Sequence, residues 1–302
     1  MVFNFILCAI NKKFRAIGKL VTLHKVKYMI SLKRNSKGAL VEATGVRSRS
    51  SSIYSPNQAG LFNISRSKFN DFLDCERCFY LDRVRGLISP STPGWTLNET
   101  TDRLLKKEFD VCREREIPHR LFSEFGLGNV VPYKHESMDL WRDSLKGGLK
   151  YQFKDSNIVL HGGVDDIWFD REEQQLIVVD YKSQASGYPV VPELYLSGTY
   201  HQSYKNQLDF YAYLLINMGF DVSDVGYFYV CNADRNASGF DGQLVFSETL
   251  IPYRWGIDWI EDKVLEMIGL LNSDNVPSGN KSCENCAYAR RRAMMDSELS
   301  HI

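Results

Sequence analysis

The sequence predicts an α/β fold built on a small mixed sheet, and three observations carry that expectation. Residues 160–183 read as a β-hairpin, with apolar β-formers on both sides of the polar turn 170–175. Two apolar-periodic helices are predicted at about 201–218 and 257–271, the second with Ile257, Ile260, Val264, Ile268 and Leu271 in register. Further strands at 226–231 and 243–247 fall between them, so strands and helices alternate irregularly, as in a mixed α/β domain. With 302 residues and 44% hydrophobic composition, the chain can bury a sizeable core.

Taken in order, residues 1–60 read as a basic, disordered extension and residues 61–302 as one domain. The first 60 residues hold eleven Lys/Arg and one acid, Glu42, although the whole chain has a formal net charge of zero. The body is therefore acidic, and a polyanionic partner would have to be drawn by a local groove rather than by overall charge. That balance suits a repair or processing enzyme better than a protein that coats nucleic acid. Residues 1–10 are apolar but short, and Lys12, Lys13, Arg15 and Lys19 follow them, the reverse of a secretory signal. An acid-free basic stretch is shared by transit peptides and by plain basic tails, and Met29 is an alternative start. The expected location is a cytoplasm of bacterial type, with organellar targeting by the basic N-terminus as the second reading. No apolar run approaches the ~20 residues that span a bilayer, so no membrane partner is expected.

Order is expected from about Leu61. Ser65 or Ser67 can cap a helix carrying Phe69, Phe72, Leu73, Phe79 and Tyr80. A second helix, about 97–115, presents Leu97, Leu104, Leu105, Phe109 and Cys112 on one side. Residues 138–149 read as a short helix, and the hairpin follows. A Tyr-rich loop, 188–200, then leads into the helix at 201–218. No internal repeat or heptad run is present.

The hairpin carries the chemistry. Centred between Glu172 and Glu173, it sets Asp165 opposite Asp180, with cross-strand Cβ atoms about 4.5–5.5 Å apart. The period of two puts Lys182 on the same face, opposite Gly163, where a substrate backbone has room to approach. The competing reading is an ordinary hairpin with solvated rim acids. Asp180, however, follows four apolar residues and Asp165 follows Gly-Gly-Val, so both interrupt segments that favour burial, and buried acids need a partner. A hard divalent cation neutralises two close carboxylates, and a lysine beside a metal-bound water can deprotonate it or steady developing charge. This set suits metal-dependent hydrolysis of a phosphodiester.

Four of the seven cysteines form two C-x-x-C pairs, Cys75/Cys78 and Cys283/Cys286, at opposite ends of the body. Together they can make a four-thiolate site, either zinc or a [4Fe-4S] cluster, and sequence spacing does not choose between them. The site would close a very long loop. The competing readings are helix-packed apolar thiols and a redox dithiol. Cys8, Cys112 and Cys231 lie outside the pattern, and paired C-x-x-C without a secretory signal fits a reducing compartment.

These residues resemble the PD-(D/E)xK nuclease superfamily, in particular its RecB-like branch. Gly162-Gly163-Val164-Asp165 is similar to that family's G-x-(hydrophobic)-D motif and Asp180-Tyr181-Lys182 to its D-x-K. Gln207 through Tyr211 is similar to the Q-x-x-x-Y motif of the branch. The stretch from Ser65 to Leu81, with Cys75 and Cys78, is similar to its opening S-x-S-x…C-P-R-x-F-Y. The four elements come in family order over about 61–290.

The resemblance implies a restriction-endonuclease-like αβββαβ core, a central mixed sheet flanked by helices. It implies that Asp165, Asp180 and the Tyr181 carbonyl hold Mg²⁺ or Mn²⁺ and that Lys182 positions or activates water. Gln207 and Tyr211 would lie at the nucleic-acid strand, with DNA favoured over RNA. For Tyr211 alone, the apolar stripe with Leu208 and Leu215 is an equally plain account. Many relatives carry a metal-binding histidine on the early helix. Here residues 94–102 offer Asn98, Glu99 and Asp102, and Asp102 is taken as the substitute. Iron–sulfur relatives usually place one cysteine early and three late, whereas this chain places two and two, which leaves zinc open.

Other classes are set aside. Gly279-Asn-Lys-Ser lacks the upstream glycine of a nucleotide-binding P-loop, and no G-x-S-x-G elbow is present. The expected function is a stand-alone metal-dependent nuclease of exonuclease or end-processing type acting on single-stranded ends. The rivals are a non-catalytic nucleic-acid-binding or adaptor protein of the same fold and a structural zinc protein.

Overall fold

In the computed structural model, which describes residues 32–90 and 94–299, the chain divides into two units. The smaller comprises residues 1–45 and 89–93, and its described part is a tight turn at Asn35. There the Asn35 side chain accepts N–H bonds from Lys37 and Ala39. The larger comprises Val46–Ile88 and Gly94–Ile302.

The larger unit begins before the expected start at Leu61. Val46 bridges Leu87, Arg47 pairs with Asp82, and buried Tyr54 donates its hydroxyl to Asn272 at 2.9 Å. Tyr54 supplies the ring that anchors this stretch, a residue that a polar Ser-rich neighbourhood hides in the sequence. Residues 1–31, which include the short apolar start, lie outside the described residues.

The elements of this unit in chain order are β1 (Phe62–Ser65), α1 (Arg66–Asp74), α2 (Glu76–Arg83), α3 (Thr96–Arg115), β2 (Val130–Pro132) and α4 (Met138–Arg142). There follow β3 (Leu149–Gln152), β4 (Ile158–Gly162), β5 (Asp166–Asp170), β6 (Gln175–Gln184), α5 (Pro192–Tyr195) and α6 (Gln202–Asn217). β7 (Val225–Ala233), β8 (Phe246–Arg254), α7 (Ile260–Leu271) and α8 (Glu284–Leu299) complete it. Strands order as β2-β5-β6-β7-β8 in the central sheet and β1-β4-β3 in a smaller one. β6 and β7 are parallel and joined through α6; the other central pairs are antiparallel, so the sheet is mixed, as expected. Among the described residues, no helix is long and apolar enough to cross a membrane.

Alternation along β6 sorts the two faces. Leu176 and Val178 join a cluster with Leu208, Phe210 and Leu214 of α6 and Val264 of α7. Ile177, Val179 and Tyr181 join Leu105 and Phe109 of α3, Phe122 and Trp168. Each such fully buried side chain contributes about 1.5–3 kcal/mol. By the same period, Asp180 and Lys182 lie on the α6 face and Tyr181 on the α3 face.

Several expected elements are displaced. The first helix divides at Cys75, whose backbone is extended (φ −160°, ψ 102°), while Ser65 caps α1 by accepting the Lys68 N–H at 3.3 Å. Leu97 and Leu104 of α3 are exposed, and its buried stripe is Leu105, Phe109 and Arg113. Adjacent residues on a helix point about 100° apart, so Leu104 and Leu105 cannot both face the core. The 138–149 helix stops at Arg142, because the Asp143 carboxylate caps the N–H groups of Leu145 and Lys146 and Gly148 takes a left-handed φ of +85°. The strand expected at 243–247 starts at Phe246 and runs to Arg254.

The first arm of the hairpin is two strands rather than one. β4 belongs to the small sheet and β5 to the central one, with residues 163–165 crossing between. A Cβ on Gly163 would meet the Ser144 backbone at 2.7 Å, and one on Gly162 the Tyr211 ring at 2.8 Å. The two glycines therefore let this crossover pack flush between α4 and α6.

Candidate active site

The β5–β6 ladder pairs Asp166 with Val179 and Asp170 with Gln175, which is the register that sets Asp165 opposite Asp180. Asp165 sits at the crossover and accepts the Tyr181 N–H at 2.8 Å. Asp180 is fully buried, ion-paired with Lys182 and bonded by the Gln207 amide. Burial pushes the Asp180 carboxyl up to about 7; the Lys182 ammonium pulls it down and the neighbouring Asp165 raises it again. A carboxylate so placed gains more from an added cation than a solvated one would.

The Lys182 ammonium also reaches Gln207 Oε1 at 3.3 Å and lies 4.3 Å from the centre of the Tyr204 ring. Three partners on two elements hold it at the floor of a cleft of about 340 Å³ between α3 and α6. Asn98, Thr101, Asp102 and Leu105 form the α3 wall and Tyr204 the α6 wall.

Asp102 lies on that wall, so the structure brings it to the hairpin acids. Burial and the Asp165 charge raise its carboxyl above the usual range. Lys106, one turn along α3, stands 3.0 Å from Asp102 and 3.7 Å from Asp165. A side-chain cation thus bridges the two acids; carboxylate oxygens are the donors a hard divalent ion takes, although these acids do not gather three ligand atoms as closely as the cysteines do. Those residues, with Asp180, are the ones that would hold it.

Gln207 and Tyr211 are both buried in α6 and turned onto the hairpin. Tyr211 donates its hydroxyl to the Gly163 carbonyl at 2.6 Å, and the Gln207 amide lies 3.4 Å from the Tyr211 hydroxyl. They brace Asp180, Lys182 and the crossover rather than line an open nucleic-acid face.

A second layer escaped the sequence reading. Asp166, fully buried beside Asp165, is paired with Arg113 of α3 and accepts bonds from the Tyr181 hydroxyl (2.7 Å) and the Ile167 N–H (2.8 Å). Arg113 also donates to the Tyr133 carbonyl at 2.8 Å and pairs with Asp110, which Arg142 holds at 2.9 Å. The network fixes Tyr181, whose N–H in turn fixes Asp165. A lone buried carboxylate would cost several kcal/mol, so Asp166 and Arg113 stand or fall together. The doubled acid Asp165-Asp166 was the available signal.

The cysteine pairs meet far from this cleft in sequence. Cys78 Sγ lies 3.4 Å from Cys286 and 3.6 Å from Cys283, and Cys75 lies 3.8 Å from Cys286. All four sulfurs fall within 4.8 Å of one another, and among the described residues no other His, Cys, Asp or Glu group gathers three ligand atoms so closely. Four thiolates about 2.3 Å from one ion span tetrahedron edges of about 3.8 Å, so the spacing fits a single zinc. A cubane cluster, with an iron at each corner, would hold its thiolates further apart. Although burial acts against it, N–H bonds from Cys78 and Asn280 lower the Cys75 thiol to about 7. The break at Cys75 aims both early thiols at α8, and Gly279 packs on Cys286, where a Cβ would stand 3.1 Å from Sγ. Cys112 and Cys231 stand apart, and Cys8 lies outside the described residues.

Residues 63–291 match the family model of the PD-(D/E)XK nuclease superfamily. No curated protein matches the chain.

Proposed function

Because the chain belongs to the PD-(D/E)XK nuclease superfamily, we infer that it is a metal-dependent nuclease whose centre is Asp165, Asp180 and Lys182. The observation that carries this reading is the burial of Asp180 opposite Asp165 with the Lys182 ammonium on the same face. Asp165, Asp180, Asp102 and the Tyr181 carbonyl would hold Mg²⁺ or Mn²⁺, which supplies charge for the phosphoryl oxygens and a more acidic water. Lys182, held by Asp180, Gln207 and Tyr204, orients the attacking water and steadies negative charge at phosphorus. Water oxygen bonds to phosphorus as the ester P–O bond opposite breaks; the attacking water gives up a proton to solvent, and the departing alkoxide takes one up from solvent to leave as an alcohol.

The Gln207/Tyr211 pair on α6 supports placement in the RecB-like branch; the two-plus-two cysteines depart from the one-plus-three of its iron–sulfur members, and their spacing suits four thiolates on one zinc. An exonuclease or end-processing role on DNA fits an acidic body that meets its substrate only locally. The test is cleavage of end-labelled oligonucleotides with Mg²⁺ or Mn²⁺. Cleavage that stops with EDTA supports the reading, and cleavage that persists in EDTA overturns it.

Gln207 and Tyr211 act as positioning residues. Tyr211→Phe removes the hydroxyl from the Gly163 carbonyl, so kcat is expected to fall roughly tenfold, the size of one lost hydrogen bond, with KM unchanged. A rise in KM at constant kcat would instead place Tyr211 on the nucleic acid.

A further inference from the structure

The cleft is short of the positive charge that a phosphate backbone needs. Its lining sets Glu99, Asp102 and Asp165 against Lys182 alone. A bound strand must therefore find its counter-charge beside the cleft. The small sheet offers a surface of the right kind. β1, β4 and β3 send Phe62, Ile64, Ile158, Leu160 and Leu149 into the core. By the period of two, Asn63, Ser65, Val159, His161, Lys150 and Gln152 share the outer face, and none of them is an acid. His161 lies between Ser65 and Lys150 in the register, at the end of the sheet from which the Gly163 crossover leaves.

Arg66 stands where that end of the sheet meets the crossover. It opens α1 directly after β1, and its Cβ lies 3.2 Å from where a Cβ on Gly162 would be. The Tyr211 ring is the other neighbour of that glycine, and its hydroxyl holds the Gly163 carbonyl. Burial raises the Tyr211 hydroxyl; the Arg66 charge lowers it and those of Asp165 and Asp180 raise it further. All three charges thus act on one oxygen. Three residues of chain span at most about 10 Å, roughly three nucleotides' rise, so Gly162 and the backbone of Arg66 lie a short way along a strand from Asp165.

Arg66 is also unsatisfied. Its side chain is half-buried, its Nε is shut off from water without a partner, and its guanidinium makes no hydrogen bond or ion pair among the described residues. The other buried or half-buried arginines of this unit are Arg47, Arg77, Arg83, Arg113 and Arg142, and each bonds an acid or a carbonyl. A guanidinium withdrawn from water with no partner costs free energy that an anionic ligand returns.

We propose that Arg66 grips a phosphate of the nucleic-acid strand beside the scissile one and leads the backbone from Asp165, Asp180 and Lys182 onto the outer face of β1, β4 and β3. The contact rests on the nuclease reading and adds the path of the strand beyond the centre. The planar fork of arginine matches two phosphate oxygens and touches no base, so the grip holds for any sequence.

The test measures anisotropy of a labelled single-stranded DNA oligonucleotide over a range of salt, with the full chain carrying Asp180→Asn so that the strand stays whole. Arg66→Met is expected to weaken binding roughly ten- to a hundredfold, the size of one charge-assisted contact. The slope of log affinity against log salt should become shallower by about 0.7, one phosphate's share on a single strand. Arg66→Lys is expected to restore that slope but only part of the affinity. The methionine variant should melt no lower than its parent, since the arginine has no bond to lose, whereas a structural arginine would be missed. A single neutral methylphosphonate linkage, moved stepwise along the strand, should find one position whose replacement weakens the parent but not Arg66→Met. An unchanged slope in the methionine variant, a variant that melts well below its parent, or a loss that no linkage position reproduces each overturns the contact. The nuclease reading fails separately, when the chain with native Asp180 and Arg66 cleaves no strand with Mn²⁺.

Discussion

Asp180→Asn is expected to lower hydrolysis roughly a thousandfold or more while leaving the protein folded. Asparagine fills the same volume and can accept from Gln207 and Lys182, but it carries no charge to hold a divalent ion. The loss should fall on kcat at saturating metal and substrate, because Asp180 is fully buried and outside the lining of the cleft, so that it would reach a substrate only through an ion. The same change has a signed effect on stability in metal-free protein. Burial raises the Asp180 carboxyl above its unfolded value, so the native state binds its proton more tightly and loses stability as pH rises from acid toward neutrality. The asparagine variant lacks that loss, so its melting temperature should gain on the native protein's over this range. A variant that cleaves normally, or one that melts before assay, would remove Asp180 from its role as an ion ligand.

The second large effect lies at the cysteines. Cys78→Ser is expected to lower the melting temperature by roughly 10–20 °C and to release one zinc per chain. Structural zinc is worth about 10–16 kcal/mol in small domains, and a few kcal/mol moves a domain of this size by that much. The effect should be large because the four sulfurs tie residues on α1–α2 to α8, more than two hundred residues away. Past Cys286, α8 is exposed along its described length, so the thiolate site is its main attachment. Metal analysis and thermal melts check both points. A brown, iron-bearing protein, or a serine variant that melts like the native chain, would contradict a tetrahedral zinc.

The centre of the site was legible because a hairpin register depends only on where its turn is centred. Placing that turn between Glu172 and Glu173 puts Asp165 across from Asp180, and the β5–β6 ladder has that register. The cysteine pairs were legible for a similar reason, since two short spacings leave few ways to be useful. Long-range choices were not. Leu97 and Leu104 looked like core from composition, yet α3 turns Asp102 toward the cleft and Arg113 into the interior, where Asp166 awaits it. A local pattern cannot foresee a buried ion pair whose members lie more than fifty residues apart. The crossover at Gly163 was hidden too, because an apolar strand that changes sheets reads the same as one that continues.

If the nuclease reading holds, the hairpin acids bind the ion used for hydrolysis. Titration of Mn²⁺ into zinc-loaded protein, followed by the electron paramagnetic resonance of free Mn²⁺, tests this most directly, since a four-thiolate site is too soft to take up manganese in competition. The free signal is expected to be suppressed by the native chain and restored when Asp165 and Asp180 are both replaced by asparagine. Equal suppression by both proteins would contradict metal binding at the hairpin.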